Sequence, residues 1–287
     1  NYDENEIDSM TFGNIFHRTA ELIYHKLSQD TQRMITKEDI KNIYDRRDTL
    51  YALIDEAFRE KLFKVEDPHF HPRYNGLQLL NRKVIYTYIR LLLEVDMREA
   101  PFSIVALEKD YYDDLTFTVN GQRRTIQVGG QIDRLDRKEG ALRYLRVIDY
   151  KTGKPLQTPP SSVADIFDPA LVDTKHTDYY LQAFLYASLI RHGKTSAHGA
   201  NPDGLPVAPA LLFIREARKE HYTPILAFAG AKRGSRQMVE DIEAYFTDFE
   251  QGLKDLLAEI FDPEMPFIPT SHTERCQSCP YNKICGV

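Results

Sequence analysis

A chain of 287 residues with 42% hydrophobic and 11% aromatic content can bury one large core or two small ones, which excludes disordered and fibrous classes. No run approaches the ~20 apolar residues of a membrane span, and the polar opening Asn1 to Glu6 is unlike a signal peptide, so a soluble, cytoplasmic protein is expected. Thirty-seven Lys and Arg against 43 Asp and Glu leave a net charge of −6, without the basic footprint usual for nucleic-acid binding. That balance still permits a local basic groove, because a site for a divalent cation gathers carboxylates at one point.

Residues 11–28 carry Phe12, Phe16, Ala20, Ile23 and Leu27 at helical spacing, with Thr11 as the expected N-cap. Two further helical stretches, about 37–64 and 76–98, complete an N-terminal helical subdomain in which 30–100 reads as an insertion. After Pro101 the segments 103–107, 115–119, 124–136 and 142–150 are rich in Val, Ile, Leu, Thr, Tyr and Phe and read as strands. Asn120-Gly121 is a two-residue hairpin signal, and Lys138-Glu139-Gly140 marks another turn. A Pro-, Ser- and Asp-rich loop covers 153–174, a helix 177–192, short strands 210–215 and 224–228, and a long amphipathic helix 235–260. The order predicts an α/β fold: a mixed central sheet flanked by helices, with 101–260 as the core, 261–287 as a cysteine-containing tail, and a single domain overall. An initial Asn in place of Met reads as a piece of a longer protein.

The chemistry concentrates in Val128-Gly-Gly-Gln-Ile-Asp-Arg-Leu-Asp136 and Val147-Ile-Asp-Tyr-Lys-Thr-Gly153. Asp149 and Lys151 stand two apart on an extended chain and so share a face. A carboxylate that holds a cation beside an ammonium that positions a water or steadies phosphate charge suits metal-assisted hydrolysis. The bare triplet reads equally as a surface ion pair; the flanking Gly130-Gln-Ile-Asp133-Arg134 and Thr152-Gly153 make the pattern specific. A simple two-residue turn at Glu139-Gly140 would put Asp133 opposite Arg146 and leave Asp149 too far away to share an ion. Convergence therefore requires a different turn, or a bulge or bend, for which Gly129-Gly130 is a natural place.

These motifs resemble the RecB-like nuclease family of the PD-(D/E)xK superfamily, in particular the nuclease domains of AddB- and RecB-type helicase-nucleases, from His17 to Cys285. A helix with Gly four residues before a metal-binding His corresponds to Gly13-Asn-Ile-Phe-His17, and the Q-x-x-x-Y helix to Gln182-Ala-Phe-Leu-Tyr186. The resemblance implies metal ligation by His17, Asp133, Asp149 and the Tyr150 carbonyl, with Glu108 as the corresponding acid of the first strand. It implies a catalytic Lys151, and Gln182 and Tyr186 in contact with the DNA strand. Alone, Gln182 and Tyr186 read as an ordinary i, i+4 packing pair, and His69-Phe70-His71 as a solvated loop.

Gly193-Lys194-Thr195 lacks the upstream glycine of a phosphate-cradling loop, since Ser188 stands there, so ATP hydrolysis is not expected. Arg215, Arg218, Lys219, Lys232, Arg233 and Arg236 are candidate phosphate contacts. Cys276, Cys279 and Cys285 crowd the end of an otherwise cysteine-free chain, which argues for metal binding. In the resembled family such a trio supplies three of four ligands to a [4Fe–4S] cluster, with the fourth Cys ahead of the Gly-x-x-x-His helix. That implies an incomplete cluster here, with the thiols free or holding an ion such as zinc, completed by water or His272. The expected activity is that of a Mg²⁺- or Mn²⁺-dependent DNA exonuclease in double-strand-break repair and recombination. DNA with free ends and a helicase module or AddA-like subunit would be its partners. The alternatives are a CRISPR-associated RecB-like exonuclease and a catalytically silent DNA-binding scaffold.

Overall fold

Apolar residues at helical spacing build the first element of the computed structural model: Ile15, Phe16, Ala20, Ile23, Tyr24 and Leu27 are buried along α1 (Ser9–Ser28). The structure describes residues 7–28, 33–155, 158–194, 199–232, 234–268, 270, 276 and 279–285. Asp8, not Thr11, caps α1: its carboxylate accepts the Thr11 N–H at 2.6 Å, which is an orphan donor of the first turn. A two-residue strand β1 (Met34–Ile35) leads into α2 (Lys37–Tyr44), opened by a capping box between Thr36 and Asp39. The expected helix over 37–64 is broken at Asp45-Arg46. There α3 (Arg47–Phe58) begins and packs on α1 while α2 packs on α4 (Gly76–Glu99). One straight helix could not serve both neighbours.

The central sheet follows. Strands β2 (Phe102–Val119), β3 (Gln122–Lys138) and β4 (Tyr144–Lys151) form an antiparallel meander, and β1 edges it beside β2. The segments 103–107 and 115–119 are two ends of one strand, joined to β3 through Asn120-Gly121, both at positive φ, as the hairpin signal requires. The loop between β3 and β4 is five residues, Glu139–Arg143, with Lys138 facing Tyr144. This register places Arg134 opposite Ile148, three positions away from what a two-residue turn gives, and so carries Asp133 to Asp149. The turn, not a bend at the glycines, makes the correction.

The loop after β4 holds two short helices, α5 (Val163–Ile166) and α6 (Val172–Lys175), before α7 (Thr177–His192) crosses over to β5 (Val207–Phe213). That crossover lets β5 pair with β4 in parallel. A two-stranded ribbon, β6 (Ala227–Ala229) with β7 (Arg236–Met238), captures residues expected to start the long C-terminal helix. Cross-strand pairing overrides their helical periodicity, so α8 spans only Phe246–Ile260; α9 (Asn282–Cys285) is one turn in the tail.

Two apolar clusters sandwich the sheet. Ile148 and Tyr150 of β4 join the cluster under α1–α4, while Leu145 and Val147 join the one under α7 and α8. This alternation aims Asp149 and Lys151 toward α7 and leaves Arg134, paired with Ile148, toward α4. No described helix is long and apolar enough to cross a membrane.

Candidate active site

Three adjacent strands each bring a carboxylate to one end of the sheet. Leu107 pairs with Arg134 and Lys109 with Ile132, so Glu108 of β2 lies opposite Asp133 of β3, and Asp133 is next in register to Asp149 of β4. The β3–β4 ladder stops at Arg134–Ile148, and the next free amide, that of Tyr150, donates instead to Asp133 Oδ2 at 2.7 Å. Glu108 adopts a left-handed backbone conformation, φ 44°, which costs energy in a non-glycine residue, and Gln131 Nε2 donates to its carbonyl at 2.9 Å. A residue held in such a conformation within a strand is aimed by its surroundings.

His17 completes the group from α1. Its Nδ1 lies 3.4 Å from Asp133 Oδ1 and 3.6 Å from Glu108 Oε1, and its Nε2 stands 3.2 Å from the Tyr150 carbonyl oxygen. Ligand atoms of His17, Glu108 and Asp133 all lie within 4.8 Å of one another, and this is the one such His/Cys/Asp/Glu group among the described residues. Asp149 stands just outside it, its Oδ2 turned to Lys151 Nζ at 2.5 Å. An open cleft of about 390 Å³ gives access, lined also by Asn14, Arg18, Glu21, Glu60, Lys61 and Gln131.

Charge explains why this group needs a cation. Burial opposes a proton on His17, yet Asp133 and Glu108 outweigh it and carry the imidazole to about 10. Burial lifts the Glu108 carboxyl, and burial with the neighbouring Asp133 charge lifts Asp149 to about 7 despite Lys151. The imidazolium thus stands where a metal would neutralise the acids. Buried Glu108 Oε1 has no hydrogen-bond partner. His17 Nδ1 with the Glu108 and Asp133 oxygens is a donor set for a hard, oxygen-preferring divalent ion, while the Tyr150 carbonyl faces the other imidazole nitrogen, Nε2.

A pH dependence follows. His17 ionises at about 10 against 6.5 when free, so its contribution to stability is complete below pH 6.5 and is lost as pH rises through 10. The thermal midpoint in EDTA should fall across that window, the fall should shrink in His17→Gln, and saturating Mg²⁺ should oppose it, because ligation needs the neutral imidazole. Identical pH profiles for wild type and His17→Gln would refute it.

Lys151 is held by a second set of contacts. Its Nζ lies 3.3 Å from Gln182 Oε1 on α7 and 4.5 Å from the Tyr179 ring centre, and Gln182 Nε2 reaches Tyr186 OH at 3.4 Å. Gly130 permits this approach, since a Cβ there would sit 2.5 Å from the Tyr186 hydroxyl. Gly129 is equally constrained: its Cβ would meet Tyr111 O at 2.1 Å.

Other candidates lie apart. Arg215 donates to Tyr88 OH, and Arg218 and Lys219 pair with Glu94 and Glu216, while Lys232 and Arg236 are exposed elsewhere. His69 and His71 are exposed on a loop. Cys276, Cys279 and Cys285 are free thiols and do not form a metal-binding group among the described residues. His272, Arg233 and Thr195 lie outside the described residues.

Behind the site is an ion cluster that the sequence reading missed. Arg134, fully buried, forms two hydrogen bonds to Asp96 at 2.7 and 2.9 Å, approaches Asp136 at 3.1 Å and donates to Tyr150 OH at 3.2 Å. Arg146 forks onto Asp136 at 2.8 and 2.9 Å and reaches Glu99 at 2.7 Å; Tyr24 OH bonds Asp96. The signal was available: Asp96 interrupts the apolar run Leu91-Leu92-Leu93 to Val95, and Arg134 and Arg146 interrupt two apolar strands. Tyr150 is thereby pinned from both ends, with its hydroxyl on Arg134 and its amide on Asp133.

Comparison with known families agrees with this geometry. No curated protein matches the chain. A match to the PD-(D/E)XK nuclease superfamily extends over residues 2–286, and the mixed sheet flanked by helices is consistent with that nuclease core. The chain therefore belongs to the PD-(D/E)XK nuclease superfamily.

Proposed function

We propose that this chain is a divalent-metal-dependent DNA exonuclease of RecB/AddB type, acting on free ends within a helicase-nuclease in double-strand-break repair and recombination. The observation that supports it most directly is the convergence of His17, Glu108 and Asp133 within 4.8 Å beside the Asp149–Lys151 pair. His17, Glu108, Asp133, Asp149 and the Tyr150 carbonyl would hold Mg²⁺ or Mn²⁺, which when bound supplies Lewis-acid polarisation of the phosphate and an acidified water. Lys151 then steadies phosphate charge and orients the attacking water, while Gln182 keeps its ammonium in place and Tyr186 closes the strand side of the site. The intact acids and Lys151 favour this over a silent scaffold.

End-labelled linear DNA and a covalently closed circle, each with Mg²⁺, Mn²⁺ or EDTA, test it. Cleavage of the linear substrate in either metal, none in EDTA, and a spared circle are expected. Undiminished cleavage in EDTA would refute metal dependence, and equal cutting of the circle would refute an exonuclease. The iron–sulfur reading of Cys276, Cys279 and Cys285 is tested separately: iron and acid-labile sulfide in protein purified without oxygen support it, and their absence from a longer chain supplying a fourth Cys would remove it.

A further inference from the structure

We propose that the stacked His176–Tyr179 pair beside Lys151 is a nucleobase platform, which holds an unpaired base of the strand whose phosphate lies at Lys151. The proposal rests on the nuclease reading above and adds its substrate class: ends with an unpaired base. The two ring centres are 5.1 Å apart with an 8° interplanar angle, an offset parallel stack. Lys151 Nζ lies 4.5 Å from the Tyr179 ring centre and 2.5 Å from Asp149. Carboxylate, ammonium, phenol and imidazole thus form one continuous series leading away from the reacting phosphate. The two rings lead away from that phosphate, so a base on the outer face of the stack belongs to the same strand as the phosphate at Lys151.

The two rings are not equivalent. Tyr179 is committed to the protein, with Lys151 over its ring and Phe213 tilted against it at 6.3 Å. His176 is half-exposed, and among the described residues its imidazole makes no hydrogen bond or ion pair and has Tyr179 as its ring partner. It also takes up a left-handed backbone conformation, φ 48° and ψ 50°, at the start of α7. That conformation is the one that ends α6, whose C-cap His176 is, and the exposed part of its ring is available for a ligand with a π surface. In a duplex both faces of an internal base are already stacked, whereas an unpaired base offers one freely. The platform therefore favours frayed or single-stranded ends, without sequence preference, because every base has a π face.

The test uses His176→Asn, which removes the ring but tolerates left-handed backbone, and His176→Trp, which enlarges it. The probes are short single strands carrying 2-aminopurine at the terminal nucleotide, and matched strands with an abasic terminal nucleotide. In Ca²⁺ the wild type should quench 2-aminopurine on binding, as stacking does. In Mg²⁺ its KM should be about tenfold or more lower for the base-bearing end than for the abasic one. His176→Asn should lose the quench and bring the KM ratio toward one, and His176→Trp should restore both. Circular dichroism should show each variant folded. Quenching and a base-to-abasic ratio unchanged in His176→Asn would overturn the platform. Cleavage indifferent to the terminal base would remove it while leaving the nuclease standing. His176-dependent quenching without cleavage in any divalent metal would do the reverse.

Discussion

Lys151→Ala and Asp149→Ala should each lower the cleavage rate in Mg²⁺ by about a hundred- to a thousandfold, while moving DNA binding in opposite directions. Removing one preorganised group that stabilises transition-state charge costs about 10²–10³ in rate, and Lys151 is fixed in position by Asp149, Gln182 and the Tyr179 ring. Its loss also removes a phosphate contact, so binding should weaken. Asp149→Ala loses the metal's carboxylate but relieves repulsion of the phosphate backbone, so metal-free binding should hold or tighten. The two variants should part in stability as well. Asp149 ionises at about 7 rather than 3.8, so its charged form costs stability above pH 7 and not below pH 3.8. Without Lys151 nothing offsets that charge from its own strand; Lys151→Ala should therefore lose stability at pH 8 in EDTA, and Asp149→Ala should not. Wild-type cleavage rates in both variants would remove the assignment of the site.

Spatial relations set by local spacing were legible in the sequence, and those set by the length of a loop were not. Asp149 and Lys151 share a face because they are two apart on a strand, and Gln182 and Tyr186 share one because they are four apart on a helix; both relations were legible. The approach of Asp133 to Asp149 was not, because it depends on a five-residue loop whose length the Lys-Glu-Gly turn signal does not specify. Glu108 was obscured by Asp110, Asp113 and Asp114, although the Asn120-Gly121 hairpin, whose register runs unbroken from Val119–Gln122 to Ala106–Leu135, already sets it opposite Asp133. The N-cap of α1 was misplaced because Asp8 and Thr11 are both good capping types, and only the position of the first turn chooses between them. Residues 236–238 were misread because a distant partner, β6, decides their state.

Arg134→Met should destabilise the fold by about 3–5 kcal/mol, the cost of stranding a buried charge. Asp96 is fully buried, and its carboxylate stays ionised despite desolvation because Arg134 and Tyr24 bond it. Asp136 is less exposed to the change, since Arg146 continues to fork onto it. Removing both members of the principal pair, Arg134→Met with Asp96→Leu, should cost less than the two single changes added together, because no carboxylate is left unpaired and apolar groups fill the space. Urea unfolding of the four proteins measures this coupling. The cluster also touches the site through one residue: Arg134 holds the hydroxyl of Tyr150, whose amide holds Asp133 and whose carbonyl faces His17. Tyr150→Phe keeps the ring and the buried ions but frees the backbone from Arg134. It should therefore weaken Mg²⁺ affinity with little change in the urea midpoint. A change in stability alone, with metal affinity untouched, would confine Arg134 to the core and separate it from the site.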